Sequence, residues 1–186
     1  PPLKVSGRNI EGGSVDINGN ISSQFISALL MIAPSLNKGL TINIKSKILS
    51  RPYIQMTLSL MEKMGITYKW SNNAISIKSQ SYDCNDFVVE NDWSAASFWY
   101  SFVALSKDAE IKIPLLQKKS LQGDSKVADI FKRLGVSTIY LKDKIIIKKN
   151  TLLRNNLKID LSDYPDLALP IITTCVGLGI DAFIYG

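Results

Sequence analysis

The chain has 186 residues, of which 46% are hydrophobic and 20% charged, a composition that suits a globular protein with one sizeable core or two small ones. It contains no histidine, which excludes Ser-His and Cys-His nucleophilic sites and the usual zinc ligand sets. Its 22 Lys and Arg residues outnumber 16 Asp and Glu residues but are scattered along the sequence, which favours small anionic ligands over nucleic acid.

Cysteine content and hydropathy narrow the class of protein further. Cys84 and Cys175 lie far apart without a partner motif, so we expect reduced thiols, a cytoplasmic location and no metal site. The longest apolar run, at 25–34, is about half of the roughly 20 residues that span a bilayer, so we expect a buried helix there. Because the chain begins Pro-Pro without an initiator Met or an export signal, we expect it to be cut from a longer protein.

The first half of the chain is predicted to be one β-α-β-α-β-β unit over residues 13–79. Its elements, in chain order, are a strand at 15–17, a nearly all-round apolar helix at 22–36, a strand at 41–44, a helix that begins at Pro52, and a hairpin of 66–70 with 74–78. Gly65 follows the second helix, at the position where glycine commonly ends a helix.

The same order of elements returns after roughly 70 residues, which indicates an internal repeat. The second copy is predicted to contain a strand at 87–89, helices at 94–105 and about 127–134, a strand at 110–113, and a hairpin of 137–141 with 144–148. A third copy begins with a strand at 157–161 and a helix near Pro165, and the sequence stops within it. We expect a domain boundary in the polar stretch 80–86 or just after the strand that follows it.

The starts of the apolar helices carry hydroxyl and acidic residues. Ser94 and Asp163 are expected to be ordinary helix caps. Ser22-Ser23-Gln24 precedes a helix that is too apolar to be exposed, so two hydroxyls, a carboxamide and the positive end of a helix dipole converge at a partly buried place. Such a turn is either a cap or a site for a phosphate or carboxylate, and the residues alone leave both open.

Two further segments carry groups that suit anionic substrates or proton transfer. Ser50-Arg51-Pro52-Tyr53 places a hydroxyl, a guanidinium and a phenol within one turn, and the guanidinium fork suits phosphate and carboxylate. The alternative is a helix cap with Tyr53 in the core. Asp166 either complements the dipole of the helix it begins or faces a cleft as a general base.

Four motifs together, in their order and spacing, resemble those of 5-enolpyruvylshikimate-3-phosphate synthases. They are Ser22-Ser23-Gln24-Phe25-Ile26-Ser27-Ala28-Leu29-Leu30, Ser50-Arg51-Pro52-Tyr53-Ile54, Ser120-Leu121-Gln122-Gly123-Asp124 and Tyr164-Pro165-Asp166. The resemblance covers essentially the whole chain, as an internal part of a longer protein. It implies an α/β (α+β) fold of two globules, each built of three β-α-β-α-β-β units. Residues 1–90 then finish one globule, and 91–186 begin the other with one unit to about 149 and a truncated one.

The resemblance also implies a reaction and a set of site residues. In this family the 5-hydroxyl of shikimate 3-phosphate attacks C2 of phosphoenolpyruvate while C3 is protonated, and phosphate leaves from a tetrahedral intermediate, a step of aromatic amino acid biosynthesis. A carboxylate suits the proton transfer, and the resemblance gives that catalytic role to Asp166. No metal or organic cofactor is implied. The implied substrate-binding residues are Ser22, Ser23, Gln24, Ser50, Arg51, Tyr53 and Asp166.

Some motifs of the family have no counterpart in the chain, namely the N-terminal Lys-Ser segment, the Asn-Gly-containing phosphoenolpyruvate loop, and the downstream Lys-Glu and Arg motifs. We therefore expect the isolated chain to have negligible turnover. We expect small-molecule substrates, a monomer, and neither nucleic acid nor membrane as a partner. Three alternatives stay open: a UDP-N-acetylglucosamine enolpyruvyl transferase, a basic anion- or RNA-binding module, and a purely structural interaction module.

Overall fold

A computed structural model describes residues 2–20, 22–83, 86–153 and 156–186. The chain forms two compact units. The first comprises Pro1–Leu49 and Thr57–Asn85, and the second comprises Ser50–Met56 and Asp86–Gly186. The segment Ser50–Met56, where a helix begins, therefore belongs to the second unit although it lies in the first half of the sequence. The expected division of the chain between residues 90 and 91 stays a prediction.

The first unit is built on a four-stranded sheet that has the predicted order of elements. Strand β1 (Gly13–Ile17) pairs in parallel with β2 (Leu40–Ile44), as expected for strands joined by a crossover helix. The hairpin of β3 (Tyr68–Ser71) and β4 (Ala74–Ile77) adds to β2 and completes the order β1-β2-β4-β3. Asn72 has a φ of +50°, which suits the two-residue turn of this hairpin.

Two helices accompany this sheet. Helix α1 (Ser23–Ile32) crosses from β1 to β2, and α2 (Arg51–Lys63) connects β2 to the hairpin. The α-helix predicted at 22–36 ends earlier, because Pro34 has no N–H to continue the helical bonding, and the chain continues as a short 3₁₀ turn (Ala33–Ser35). The unit's core contains side chains of α1, β2 and β4 that are at most 8% exposed: Ile26, Leu30, Leu40, Ile42, Ile44, Ile75 and Ile77.

In its described residues, the second unit contains two smaller sheets and three α-helices of its own, together with the start of α2. The elements in chain order are α3 (Trp93–Leu105), β5 (Glu110–Pro114), a 3₁₀ turn (Gly123–Lys126), α4 (Val127–Arg133), β6 (Val136–Tyr140), β7 (Lys144–Lys149), β8 (Asn156–Asp160), a 3₁₀ turn (Pro165–Leu167), α5 (Ala168–Leu178) and β9 (Asp181–Tyr185). Strands β5, β7 and β6 form an antiparallel sheet in that order, and β8 pairs in parallel with β9.

Helix α3 lies at the centre of the second unit's core. Trp93 and Tyr100 of α3 are fully buried, and the Tyr100 ring packs at a centroid distance of 5.6 Å on Phe131 of α4. The Tyr100 hydroxyl and the Thr138 hydroxyl are hydrogen bonded at 2.8 Å, so burial of the phenol leaves no unpaired polar atom. Ile171 of α5 is also fully buried in this cluster, which ties the third repeat to the second.

Two sequence predictions in this unit are wrong. The strand expected at 87–89 does not form, and Phe87, Val88 and Val89 are 40%, 79% and 73% exposed. Their β-branched and aromatic character favours a strand only weakly, because strand propensity depends on packing against neighbours. In the described part of the chain β5 is the edge strand of the order β5-β7-β6, and residues 87–89 do not pair with its outer edge. The cap expected at Asp163 is also absent, because the following 3₁₀ turn begins at Tyr164 without a side-chain cap. Within the described ranges, no helix combines the length and apolar character needed to cross a membrane.

Candidate substrate site

The serine turn at the start of α1 belongs to the first unit. Ser22 is the N-cap residue, and its hydroxyl accepts a hydrogen bond from the Gln24 N–H at 3.3 Å. This bond is longer than the usual range, and the first turn carries no acidic residue to offset the helix dipole. Ser22 and Gln24 are exposed and Ser23 is half-buried. The turn is therefore a weak cap whose donors remain accessible to an anion.

The loop that leads into the serine turn is held by backbone contacts. The buried Gly19 donates its N–H to the Ser46 hydroxyl at 2.8 Å, and its carbonyl accepts from the Leu49 N–H at 3.1 Å. A Cβ at position 19 would lie only 2.7 Å from Ile44 Cγ2 and 2.8 Å from the Lys47 carbonyl oxygen. Only glycine fits at position 19, so the close packing of the loop after β1 against residues 44–47 depends on this residue.

In the second unit, Ser50 adopts an unusual backbone conformation directly before α2. Its φ is +53°, in the left-handed region that costs a non-glycine residue of the order of 1 kcal/mol or more. The Ser50 N–H donates to the Ser162 carbonyl at 3.1 Å, and the Ser50 carbonyl accepts from the Tyr53 N–H at 3.1 Å. These bonds hold the first turn of α2, with the exposed Arg51, beside the loop that follows β8.

A buried carboxylate lies next to Tyr53. The Tyr53 hydroxyl donates to Asp124 Oδ1 at 2.7 Å, and the Ser94 hydroxyl donates to Asp124 Oδ2. Asp124 is only 1% exposed, whereas Asp166, in the turn Pro165–Leu167, is exposed. Asp166 also lies within hydrogen-bonding reach of the Tyr53 hydroxyl. The second unit therefore brings together the Tyr53 phenol, the buried carboxylate of Asp124 and the exposed carboxylate of Asp166.

The surroundings in this cluster raise the pKa values of both Tyr53 and Asp124. Burial raises the pKa of the Tyr53 phenol, and the hydrogen bond to Asp124 and the charges of Asp124 and Asp166 raise it further. Burial also raises the pKa of the Asp124 carboxyl, with smaller increases from the charges of Asp166 and Asp92. The hydrogen bonds from Ser94 and Tyr53 act in the opposite direction on Asp124. Tyr53 thus remains a phenol at neutral pH.

The structure brings some of the sequence-predicted residues together and reveals others. Ser50, Arg51, Tyr53 and Asp166 all belong to the second unit, and Ser22, Ser23 and Gln24 belong to the first. Sequence reasoning gave Asp124 no role, although it lies in the Gln122-Gly123-Asp124 motif.

Ser94 was expected to be a cap, but Asp92 caps α3 by accepting from the Ser94 N–H at 2.7 Å, which leaves the Ser94 hydroxyl for Asp124. Among the described residues, no set of three or more His, Cys, Asp or Glu side chains is arranged to hold a metal ion.

Comparison with known proteins identifies the family. The family described as EPSP synthase (3-phosphoshikimate 1-carboxyvinyltransferase) matches residues 1–185. The chain belongs to the EPSP synthase family. A 3-phosphoshikimate 1-carboxyvinyltransferase of Bacteroides fragilis is 46% identical over 181 residues, which are 97% of this chain and 44% of that protein. One of Methanosphaera stadtmanae is 38% identical, over 93% of this chain and 41% of that protein.

A solved structure supports the fold of this EPSP synthase chain. EPSP synthase from Acinetobacter baumannii superposes with a TM-score of 0.58 at 18% sequence identity, over 87% of this chain and 38% of that one. The predicted α/β (α+β) fold class of enolpyruvyl transferases is confirmed. This chain spans less than half the length of these relatives, and the roles of the seven predicted site residues stay predictions.

Proposed function

We propose that the protein carrying this chain transfers the enolpyruvyl group of phosphoenolpyruvate to the 5-hydroxyl of shikimate 3-phosphate and releases phosphate. The observation that carries the proposal is 46% identity over 97% of the chain to a protein named for this activity. The residues found at the candidate site suit the chemistry, since Asp166 offers a carboxylate for proton transfer and Arg51 a guanidinium for an anionic substrate.

The proposed roles follow from the chemistry of each group. Asp166, an exposed carboxylate, takes the proton of the attacking 5-hydroxyl. The N–H groups and hydroxyls of Ser22 and Ser23 hold the phosphate of shikimate 3-phosphate at the start of α1, where the helix dipole favours negative charge. The carboxamide of Gln24 lies near both substrates, and the guanidinium of Arg51 binds an anionic oxygen. Ser50 and Tyr53 make the remaining contacts with shikimate 3-phosphate.

We propose further that this chain supplies only part of the catalytic site. It corresponds to 44% of the Bacteroides fragilis relative, and several cationic motifs of the family are absent from it. Large apolar side chains of α3 support this view, because Phe98, Trp99 and Phe102 are each more than half exposed, as expected for a face that additional chain covers. Alone, the chain then has negligible turnover. We also propose a cytoplasmic monomer without a metal or organic cofactor.

A chimera tests the proposal. The 181 matched residues of the Bacteroides fragilis enzyme are replaced by those of this chain, and phosphate release is measured with both substrates present. We expect turnover within about tenfold of the parent enzyme, because all the motifs outside the segment are retained. A chimera that has native circular dichroism and a cooperative thermal transition but releases no phosphate contradicts the proposal. The isolated chain, assayed alongside, is expected to release none.

A further inference from the structure

Asp124 is the one carboxylate with a fully buried side chain in the described part of the protein, and no role has been assigned to it. A buried ionised carboxylate costs free energy unless several donors compensate it. Asp124 has two, the hydroxyls of Tyr53 and Ser94. Buried ionic groups commonly stabilise a fold no more than well-packed apolar residues do, so a role of Asp124 other than stability is worth seeking.

The position of Asp124 is rigidly defined by its surroundings. The Gln122 carboxamide oxygen accepts the Trp93 N–H at 2.8 Å, and its nitrogen donates to the Asn91 carbonyl at 2.7 Å. Gly123 follows, packed so closely on Pro52 that a Cβ would lie 2.6 Å from the proline Cβ. These contacts join the start of α3, the Gln122-Gly123-Asp124 motif and the first turn of α2. Asp124 is thus fixed with respect to Tyr53.

The direction of the Tyr53 hydroxyl proton follows from this arrangement. A phenol has one proton to donate and two lone pairs that accept. Two carboxylates can accept this one proton: Asp124 Oδ1 accepts it at 2.7 Å, and Asp166 is the second acceptor within reach of the hydroxyl. The lone pairs of Tyr53 and the carboxylate of Asp166 are then both acceptors, and such a pair suits a ligand that carries hydroxyl groups.

We propose that Asp124 is a positioning residue of the transfer reaction: it takes the Tyr53 proton, so that Tyr53 and Asp166 remain two acceptors for the hydroxyl groups of the substrate. This inference rests on the proposed function. Without Asp124, the Tyr53 proton turns to Asp166 and competes with the substrate hydroxyl for the catalytic carboxylate. Asp124 therefore acts through Tyr53 and does not touch the substrate itself.

A double-mutant cycle in the chimera tests this role. Asp124→Ala is expected to lower kcat/KM for shikimate 3-phosphate roughly ten- to a hundredfold, the usual effect of losing a hydrogen bond to a charged partner. In a Tyr53→Phe background the same change should cost less than about threefold, because no phenol proton remains to be directed. Equal losses in both backgrounds would show a merely structural role and overturn the proposal.

Conservative and matched variants complete the cycle. Asp124→Asn keeps a carbonyl oxygen that accepts the Tyr53 proton, so it should recover most of the activity that Asp124→Ala loses. Asp129→Ala removes an exposed carboxylate from the same segment and should leave kcat/KM within about twofold of the unmodified chimera. An Asn variant no better than Ala contradicts the proton-accepting role.

A measurement on the chain itself separates this inference from the proposed function. In the 186-residue chain labelled with ¹³C-tyrosine, the Tyr53 Cζ resonance, assigned with Tyr53→Phe, is expected to move in Asp124→Ala and much less in Asp129→Ala. An unmoved resonance overturns the Tyr53–Asp124 pair whatever the activity. If the chimera is inactive and the resonance moves, the result contradicts the transfer function and with it the positioning role of Asp124, and only the Tyr53–Asp124 hydrogen bond stands.

Discussion

Two glycines of the second unit offer a matched test of how rigidly the first turn of α2 is held. A Cβ at Gly123 would lie 2.6 Å from Pro52 Cβ, and a Cβ at Gly177 would lie 2.5 Å from Leu105 Cδ2. Both approaches are about 1 Å inside ordinary van der Waals contact. The difference lies in the neighbour, since a proline ring carbon cannot rotate away and the end of a half-exposed leucine can.

The free energies of unfolding of the two alanine variants should therefore differ. Gly123→Ala forces the Pro52 turn or its own backbone to move, which costs about 1–3 kcal/mol as overpacking. In Gly177→Ala, Leu105 changes rotamer and the helix gains up to about 1 kcal/mol in propensity, so the protein is expected to be as stable as before or slightly more stable. Urea unfolding followed by tryptophan fluorescence in a Trp70→Phe background reports on the second unit, which keeps Trp93 and Trp99.

The same two variants, Gly123→Ala and Gly177→Ala, are also expected to differ in catalytic activity. A shift of about 1 Å at Pro52 carries Tyr53 with it and should lower kcat/KM of the chimera by up to about a hundredfold. Gly177→Ala should leave it unchanged, because Leu105 lies at the far end of α3 from Ser94. If Gly123→Ala is as stable and as active as Gly177→Ala, the close packing of the Gln122-Gly123-Asp124 motif against the α2 turn does not control the site.

Three further predictions concern stability and binding. Because the folded-state pKa of Asp124 is raised above its unfolded value of about 3.8, its contribution favours the fold at low pH and is lost as the pH rises through the folded pKa. Between pH 3 and pH 8, the free energy of unfolding of Asp124→Asn, measured with urea, should therefore rise relative to that of the wild type by about 1.4 kcal/mol for each unit of pKa shift. A difference that stays constant over this pH range would contradict the prediction. Phe131→Ala, which removes a fully buried ring packed on Tyr100, should cost about 3–5 kcal/mol in the same assay, and a loss below 1 kcal/mol would refute the core assignment. Ser22→Ala should cost about 0.5–1 kcal/mol of stability, measured by urea unfolding, and should raise the KM of the chimera for shikimate 3-phosphate, while an unchanged KM would leave Ser22 as a cap alone.

Regular patterns made much of the fold predictable from the sequence. The hairpin at Asn72 followed from alternating apolar residues around a turn of polar residues, and the order of the elements from the repeated β-α-β-α-β-β pattern. The end of α1 was misplaced because apolar periodicity continues through Pro34 although its missing N–H breaks the helix. The strand predicted at 87–89 does not form, because local propensity alone does not determine whether a segment packs and pairs with a neighbouring strand.

The candidate site was predictable only in part. The hydroxyls of Ser22 and Ser50 and the carboxylate of Asp166 stand at helix starts, where their chemistry can be recognised from neighbouring residues alone. Asp124 could not be recognised, because its importance depends on contact with Tyr53, 71 positions away in sequence. Its burial likewise depends on tertiary packing. From sequence alone, a charged residue that follows a glycine is expected to lie in a surface turn.

The most direct test of the account compares two neighbouring carboxylates in the chimera. Asp166→Asn should lower kcat for phosphate release by about 10²–10⁴-fold, the usual contribution of general acid–base catalysis, because the proton of the 5-hydroxyl loses its acceptor. Asp163→Asn changes an exposed carboxylate three positions earlier, and it should keep kcat within about threefold of the unmodified chimera. Equal rates for the two variants, both folded, would contradict the assignment of Asp166 as the catalytic base.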